Sequence, residues 1–227
     1  MTGSRVNNIP PLESGDRLTR KEFERRYQAM PKSQKVELVE GVVYVASPVR
    51  ATQHGRPHAQ IVGWLFAYSA ATPGVDIQDN ATVRLDADNE PQPDALLRLE
   101  PEVGGNSRIS NDDYIEGAPE LIAEIAASSA AYDLNDKLNA YRRNGVREYI
   151  VWQVYENRLD WFYLQEGRYI SLEPDTEGVI RSQIFPGLWL AVNALRSGNL
   201  AQVLAVLQQG LQTTEHQVFT ASLNREG

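Results

Sequence analysis

Apolar and polar positions along the chain change period several times, and each change marks an element. Thr19 followed by Glu22 has the form of a capping box that opens a helix running to about Met30, where Pro31 ends it. Residues 36–46 alternate around Glu40-Gly41, the pattern of strand, tight turn, strand. From His58 to about Ala71 the residues Ile61, Val62, Leu65, Phe66 and Ser69 recur at helical spacing, and Pro73-Gly74 closes a helix expected to pack on a sheet. Strands are expected at 75–85 and 94–99, separated by the polar turn 86–92, and residues 104–113 read as a polar loop. Residues 121–126 form a short, almost continuously apolar run of the kind found in a central strand covered on both faces. Residues 133–144 read as a helix ended by Gly145, and 148–154, 158–165 and 168–172 as a meander with turns at Glu156-Asn157 and Glu166-Gly167. Leu200, Val203, Leu204, Leu207 and Leu211 make one stripe of a C-terminal amphipathic helix. The class implied is mixed α/β (α+β), a central β-sheet flanked by helices.

Composition narrows this picture. With 227 residues, 42% hydrophobic and 23% charged, the chain has enough apolar surface for one substantial core. The expected division is a flexible N-terminus at 1–14, a domain at 15–195 and a helical extension at 196–227. The absence of cysteine excludes disulfides, thiolate zinc sites and cysteine nucleophiles, and fits a reducing cytoplasm. Residues 1–11 lack an apolar core of signal-peptide length, and the longest near-apolar stretch, 61–71, is too short to span a bilayer; a cytoplasmic protein without a membrane partner is expected. The net charge of −8 counts against sequence-independent affinity for nucleic acid, which is driven by neutralising phosphates. The charge is uneven: residues 1–35 carry eight basic and four acidic side chains, a balance of +4 that leaves −12 for the remainder. That segment reads either as a basic patch for a phosphate backbone or as solvated helix charges paired at i, i+4, such as Glu22 and Arg26.

The candidate chemistry is a series of two carboxylates and a lysine. Asp94 follows Pro93 at a strand start, Glu124 stands inside the apolar run, and Lys137 lies on the next helix. Two carboxylates brought together from neighbouring strands can hold a hard cation such as Mg²⁺ or Mn²⁺, with the main-chain carbonyl of Ile125 as a third oxygen, while an ammonium steadies phosphate charge or assists water. Each has a plainer reading. Asp94 suits a turn or cap, and Lys137, four after Asp133 and four before Tyr141, suits an ordinary ion pair. Glu124 is the strongest signal, because an ionised carboxylate in a buried strand is costly unless paired or metal-bound. Glu37 and Glu40 flank the first hairpin turn, where exposed glutamates usually do nothing chemical. His54 and His58 are four apart, but Pro57 intervenes and the glutamate of a zinc-binding helix pair is absent. His54, and Arg142 on the later helix, are expected substrate contacts, and His58 is expected to be structural. There is no Gly-rich phosphate loop and no support for a Ser-His-Asp triad.

Several segments agree in order and spacing with one known group: ELVEGVV at 37–43, the His54 region, QPDALL at 92–97, EGAPELIAEIAASS at 116–129 and YDLNDKLNAYRRNGVREYIVW at 132–152. On these the chain resembles the bacterial putative restriction endonuclease family, a domain of unknown function within the PD-(D/E)XK nuclease superfamily, over about residues 15–195. The resemblance implies a restriction-endonuclease-like core with Asp94 and Glu124 as metal carboxylates and Glu37 at the family's early acidic position. The superfamily's usual lysine, two residues after the second acid, is replaced here by Ala126; the family's pattern moves it to the next helix, where Lys137 stands. The family's usual Ser-Pro-Ser is Ala127-Ser128-Ser129 here. The expectation is a metal-dependent DNA endonuclease. A catalytically inactive module binding nucleic acid or protein is the alternative, and either is compatible with a homodimer joined through the C-terminal helix.

Overall fold

The computed structural model describes residues 9–31, 34–46 and 50–223. In chain order the elements are α1 (Arg20–Tyr27), β1 (Val36–Val39), β2 (Val42–Val45), a π-helical turn (Ala51–Gly55) leading into α2 (Arg56–Ala70), β3 (Val75–Asp79), β4 (Val83–Arg84), β5 (Ala95–Leu99), β6 (Arg108–Ile109), β7 (Ile115–Glu116) and β8 (Leu121–Ala126). A helix follows in three parts, α3 (Ala130–Tyr132), a π-helical stretch (Asp133–Lys137) and α4 (Leu138–Asn144). Then come β9 (Glu148–Gln153), β10 (Arg158–Gln165), β11 (Arg168–Ser171), β12 (Val179–Arg181), β13 (Trp189–Ala191), α5 (Val192–Arg196), α6 (Leu200–Leu211) and α7 (Thr214–Leu223).

Six strands form the central sheet in the order β11-β10-β9-β8-β5-β3. Among the described strands of this sheet only β8 and β9 pair in parallel; the connection between them is the α3–α4 helix, as a parallel crossover requires. Every residue of β8 and β9 is buried, in keeping with strands covered on both faces. One face, carrying Leu97, Ala123, Ile125 and Ile150, packs on Ile61, Trp64, Leu65 and Tyr68 of α2, whose spacing forms a single helical stripe. The other face, with Leu96, Ile122 and Val151, packs on Tyr141 of α4. The β1–β2 hairpin turns through Glu40 and Gly41, both at positive φ (54° and 70°), the geometry that matches the twist of paired strands. A bridge from Leu38 to Glu90 ties that hairpin to the segment before β5.

Several expectations are corrected. Residues 75–85 are not one strand: β3 pairs with β5, whereas β4 joins β7 and β6 in a small separate sheet, because Asn80 at φ 53° breaks the run. The polar loop at 104–113 contains β6. Thr19 makes no side-chain cap on α1; Glu22 instead pairs with Arg25 and Arg26 at 2.7 Å. Arg26 also meets Asp16 and Arg20 meets Glu24, so among the described residues the arginines of α1 are paired with carboxylates of their own segment. On α6 the buried positions are Val203, Val206, Leu207 and Gly210, while Leu200 and Leu204 of the expected stripe are 39% and 41% exposed. Among the described residues no helix is long and apolar enough to cross a membrane.

Candidate active site

The site forms where the β5–β8 ladder ends. Leu96 pairs with Ile122 and Ala95 with Ala123, so the next position of the same register sets Asp94 across from Glu124, on the α4 face of the sheet. Extending the register one step further would set Pro93 opposite Ile125, beyond the last paired residues. Proline has no N–H to offer the Ile125 carbonyl, and the Ile125 N–H donates instead to Asp94 Oδ2 at 2.7 Å.

Asp94 also receives His54 Nε2 on Oδ2 at 3.2 Å, and Lys35 Nζ stands 3.8 Å from Oδ1. His54 is delivered by the π-helical turn that opens α2. Burial works against the Asp94 charge, but His54, Lys35 and the Ile125 N–H outweigh it and lower its pKa to about 2. His58, one turn along α2, bonds the Asp94 carbonyl at 2.9 Å and Asp79 at 2.9 Å, the structural role expected of it.

Glu124 is buried and uses one oxygen twice: Oε1 accepts from Lys137 Nζ at 2.8 Å and from the Tyr141 hydroxyl at 2.9 Å. Lys137 is surrounded by carboxylates, with Glu37 at 3.0 Å and Asp133 at 3.8 Å in addition to Glu124. Burial lowers the lysine's pKa, but these three acids more than reverse it and keep the side chain an ammonium. Glu124 is pushed upward, chiefly by burial and then by Asp94, Asp133 and Glu37, with Lys137 opposing. Asp133 is raised to about 6, again mainly by burial, while its Oδ2 accepts from Ser129 Oγ at 2.6 Å. Glu37, on β1, accepts from the Gln92 N–H at 2.7 Å, so the hairpin is tied both to the segment before β5 and, through Lys137, to the cluster.

Asp94, Glu124, Lys137 and Glu37 are therefore brought together, with Ile125 and His54 against Asp94. Arg142 is not among them: its guanidinium donates to the Gly167 carbonyl at 2.9 Å, in the β10–β11 turn. Glu40 pairs outward with Arg143. Sequence reasoning passed over Tyr141 and Asp133 as site residues. Their signal was the spacing of four on either side of Lys137, which places all three on one helix face.

Among the described residues no group of three or more histidine, aspartate and glutamate side chains is arranged to hold a metal. The donor set is narrower: Asp94 Oδ1 and Glu124 Oε2 accept no hydrogen bond among the described residues, and the Ile125 carbonyl points to the same side of the strand as the Ile125 N–H that Asp94 accepts from. Two carboxylates and a carbonyl suit a hard cation that completes its shell with water. No curated protein matches the chain. The crystal structure of "a putative nuclease belonging to DUF820" from Anabaena variabilis ATCC 29413 is similar in fold, with a TM-score of 0.58 at 12% identity, over 76% of this chain and 96% of that one. The model of the Uma2 family, described as "Putative restriction endonuclease", matches residues 20–193, and the chain belongs to that family.

Proposed function

We propose that the chain is a divalent-metal-dependent endonuclease that hydrolyses phosphodiester bonds of DNA, with Asp94, Glu124 and the Ile125 carbonyl as the residues that would hold Mg²⁺ or Mn²⁺. The observation that carries this reading is the juxtaposition of Asp94 and Glu124 at the end of the β5–β8 ladder, each with one oxygen hydrogen-bonded by the protein and one that accepts no hydrogen bond among the described residues, Asp94 Oδ1 having only the Lys35 ammonium at 3.8 Å. When bound, the cation would supply Lewis acidity and make water more acidic. The protein's own groups do the positioning. The Ile125 N–H and His54 set the plane of the Asp94 carboxylate, and Lys137 and Tyr141 set that of Glu124. Lys137, held as an ammonium, offsets phosphate charge and orients a water molecule by donating to it; it is not the proton acceptor. Glu37 holds Lys137 in place, and His54, at the edge of the cluster, is the substrate contact.

The test is cleavage of supercoiled plasmid in Mg²⁺ or Mn²⁺. The parent should give nicked and linear products, EDTA should abolish them, and Asp94→Asn and Lys137→Ala should slow them by about 100-fold or more. Undiminished cleavage by Asp94→Asn overturns the assignment. Intact plasmid with the parent in both metals would favour the alternative, a nuclease fold retained for binding.

A further inference from the structure

Tyr155 leaves the sheet at the end of the parallel strand pair that carries Glu124, one residue after Val154, whose N–H donates to the Ala126 carbonyl at 2.9 Å. Tyr155 is 53% exposed, whereas Tyr141 and Tyr149 are fully buried. The Tyr155 hydroxyl donates to Gln53 Oε1 at 3.1 Å, and Gln53 immediately precedes His54, which contacts Asp94. The tip of the ring is therefore tied to the π-helical turn that reaches into the candidate site, while the ring itself stays open to solvent. The same turn is flanked by Arg50 and Arg56, both exposed, with Arg50 Nη1 3.5 Å from Gln53 Oε1. Glu156, exposed beside Tyr155, disfavours a phosphate on that side and leaves a base rather than the backbone as the partner for the ring.

We propose that Tyr155 is a stacking platform for an unpaired base, with Arg50 and Arg56 receiving neighbouring phosphates, so that the substrate presents unpaired nucleotides at the site: a single strand, a flap or a frayed end. In a continuous duplex both faces of each base are covered by its neighbours, so a side-chain ring reaches a face only where the stack is broken. The chain's net charge of −8 points the same way, since it weakens the phosphate-driven component on which duplex binding depends more heavily. This inference rests on the nuclease reading above and deepens it.

The experiment is fluorescence anisotropy with a labelled single-stranded oligonucleotide and a blunt hairpin duplex of matched length, at one salt concentration and with Ca²⁺ in place of Mg²⁺. The parent should prefer the single strand. Tyr155→Ala should weaken single-strand binding by about tenfold and duplex binding by less than about twofold, and Tyr155→Phe, which keeps the ring and loses the tether, should stay within about threefold of the parent. Single-strand affinity unchanged in Tyr155→Ala, or single-strand and duplex affinities falling alike, overturns the stacking role and leaves the nuclease reading standing. A parent that binds neither probe overturns both.

Discussion

Glu124 and Glu148 are buried glutamates on neighbouring parallel strands, facing opposite sides of the same sheet, and their surroundings differ in kind. Glu148 is held by neutral donors on both oxygens: Ser182 Oγ at 2.7 Å and Trp161 Nε1 at 3.2 Å on Oε2, and the Gln183 N–H at 2.6 Å on Oε1. It staples the loop before β13 to the sheet. Glu120 does similar work, accepting from the Leu99 and Asn106 N–H groups at 2.8 and 3.0 Å. Glu124 has an ammonium and a phenol on one oxygen, no hydrogen bond among the described residues on the other, and three further carboxylates nearby that raise its pKa. Burial of a carboxylate is therefore no signature of chemistry. What sets Glu124 apart from Glu148 and Glu120 is like charge crowded around an incompletely satisfied acceptor, an arrangement that costs stability unless something cationic relieves it.

The largest expected effect separates the two glutamates. Glu124→Gln should lower metal-dependent plasmid cleavage by about 100-fold or more with little loss of stability, because it also removes like-charge repulsion. Glu148→Gln should cost about 2 kcal/mol in urea unfolding at about pH 5, where the parent's carboxyl is neutral, since the amide nitrogen then faces a donor on one side, and should leave cleavage per folded molecule within about threefold. Cleavage lost in Glu148→Gln without loss of stability would break the comparison.

The next effect is on pH. Burial raises the Glu148 pKa to about 7, against its hydrogen-bond donors, from an ordinary 4.5. The folded state then binds the proton more tightly than the unfolded chain, so the contribution is present below about pH 4.5 and is lost as pH rises through 7. The loss is on the order of 3 kcal/mol. Glu124 is raised as well and adds in the same direction. Thermal melts in EDTA should therefore show lower stability at pH 8 than at pH 5. Mg²⁺ at pH 8 should restore part of it in the parent and none in Glu124→Gln, whereas Glu148→Gln should flatten the pH slope with or without metal.

The smallest effect tests the phenol. Tyr141→Phe keeps the ring in the α4 packing and removes one hydrogen bond to Glu124 Oε1, which should slow single-turnover cleavage by about fivefold and cost about 1 kcal/mol. An unchanged rate would assign Tyr141 to packing alone.

The sequence by itself determined the elements whose burial is set by local period. These are the β1–β2 hairpin, the α2 stripe, the all-buried β8 and the β9–β11 meander, and the family pattern in the same segments marked Asp94, Glu124 and Lys137. A period-2 or helical pattern records which face of a short segment meets the core, and that survives in one dimension. Only the tertiary structure decided what lies across from those faces. The partition of residues 75–85 between two sheets, the shifted buried face of α6 and the turning of Arg142 toward Gly167 all depend on partners distant in sequence. So do the two π-helical turns, at Ala51–Gly55 and Asp133–Lys137, which carry His54 and Lys137 to the cluster. A π turn alters a helix's period by one residue where packing compensates for it, and no pattern of apolar residues announces such a shift in advance.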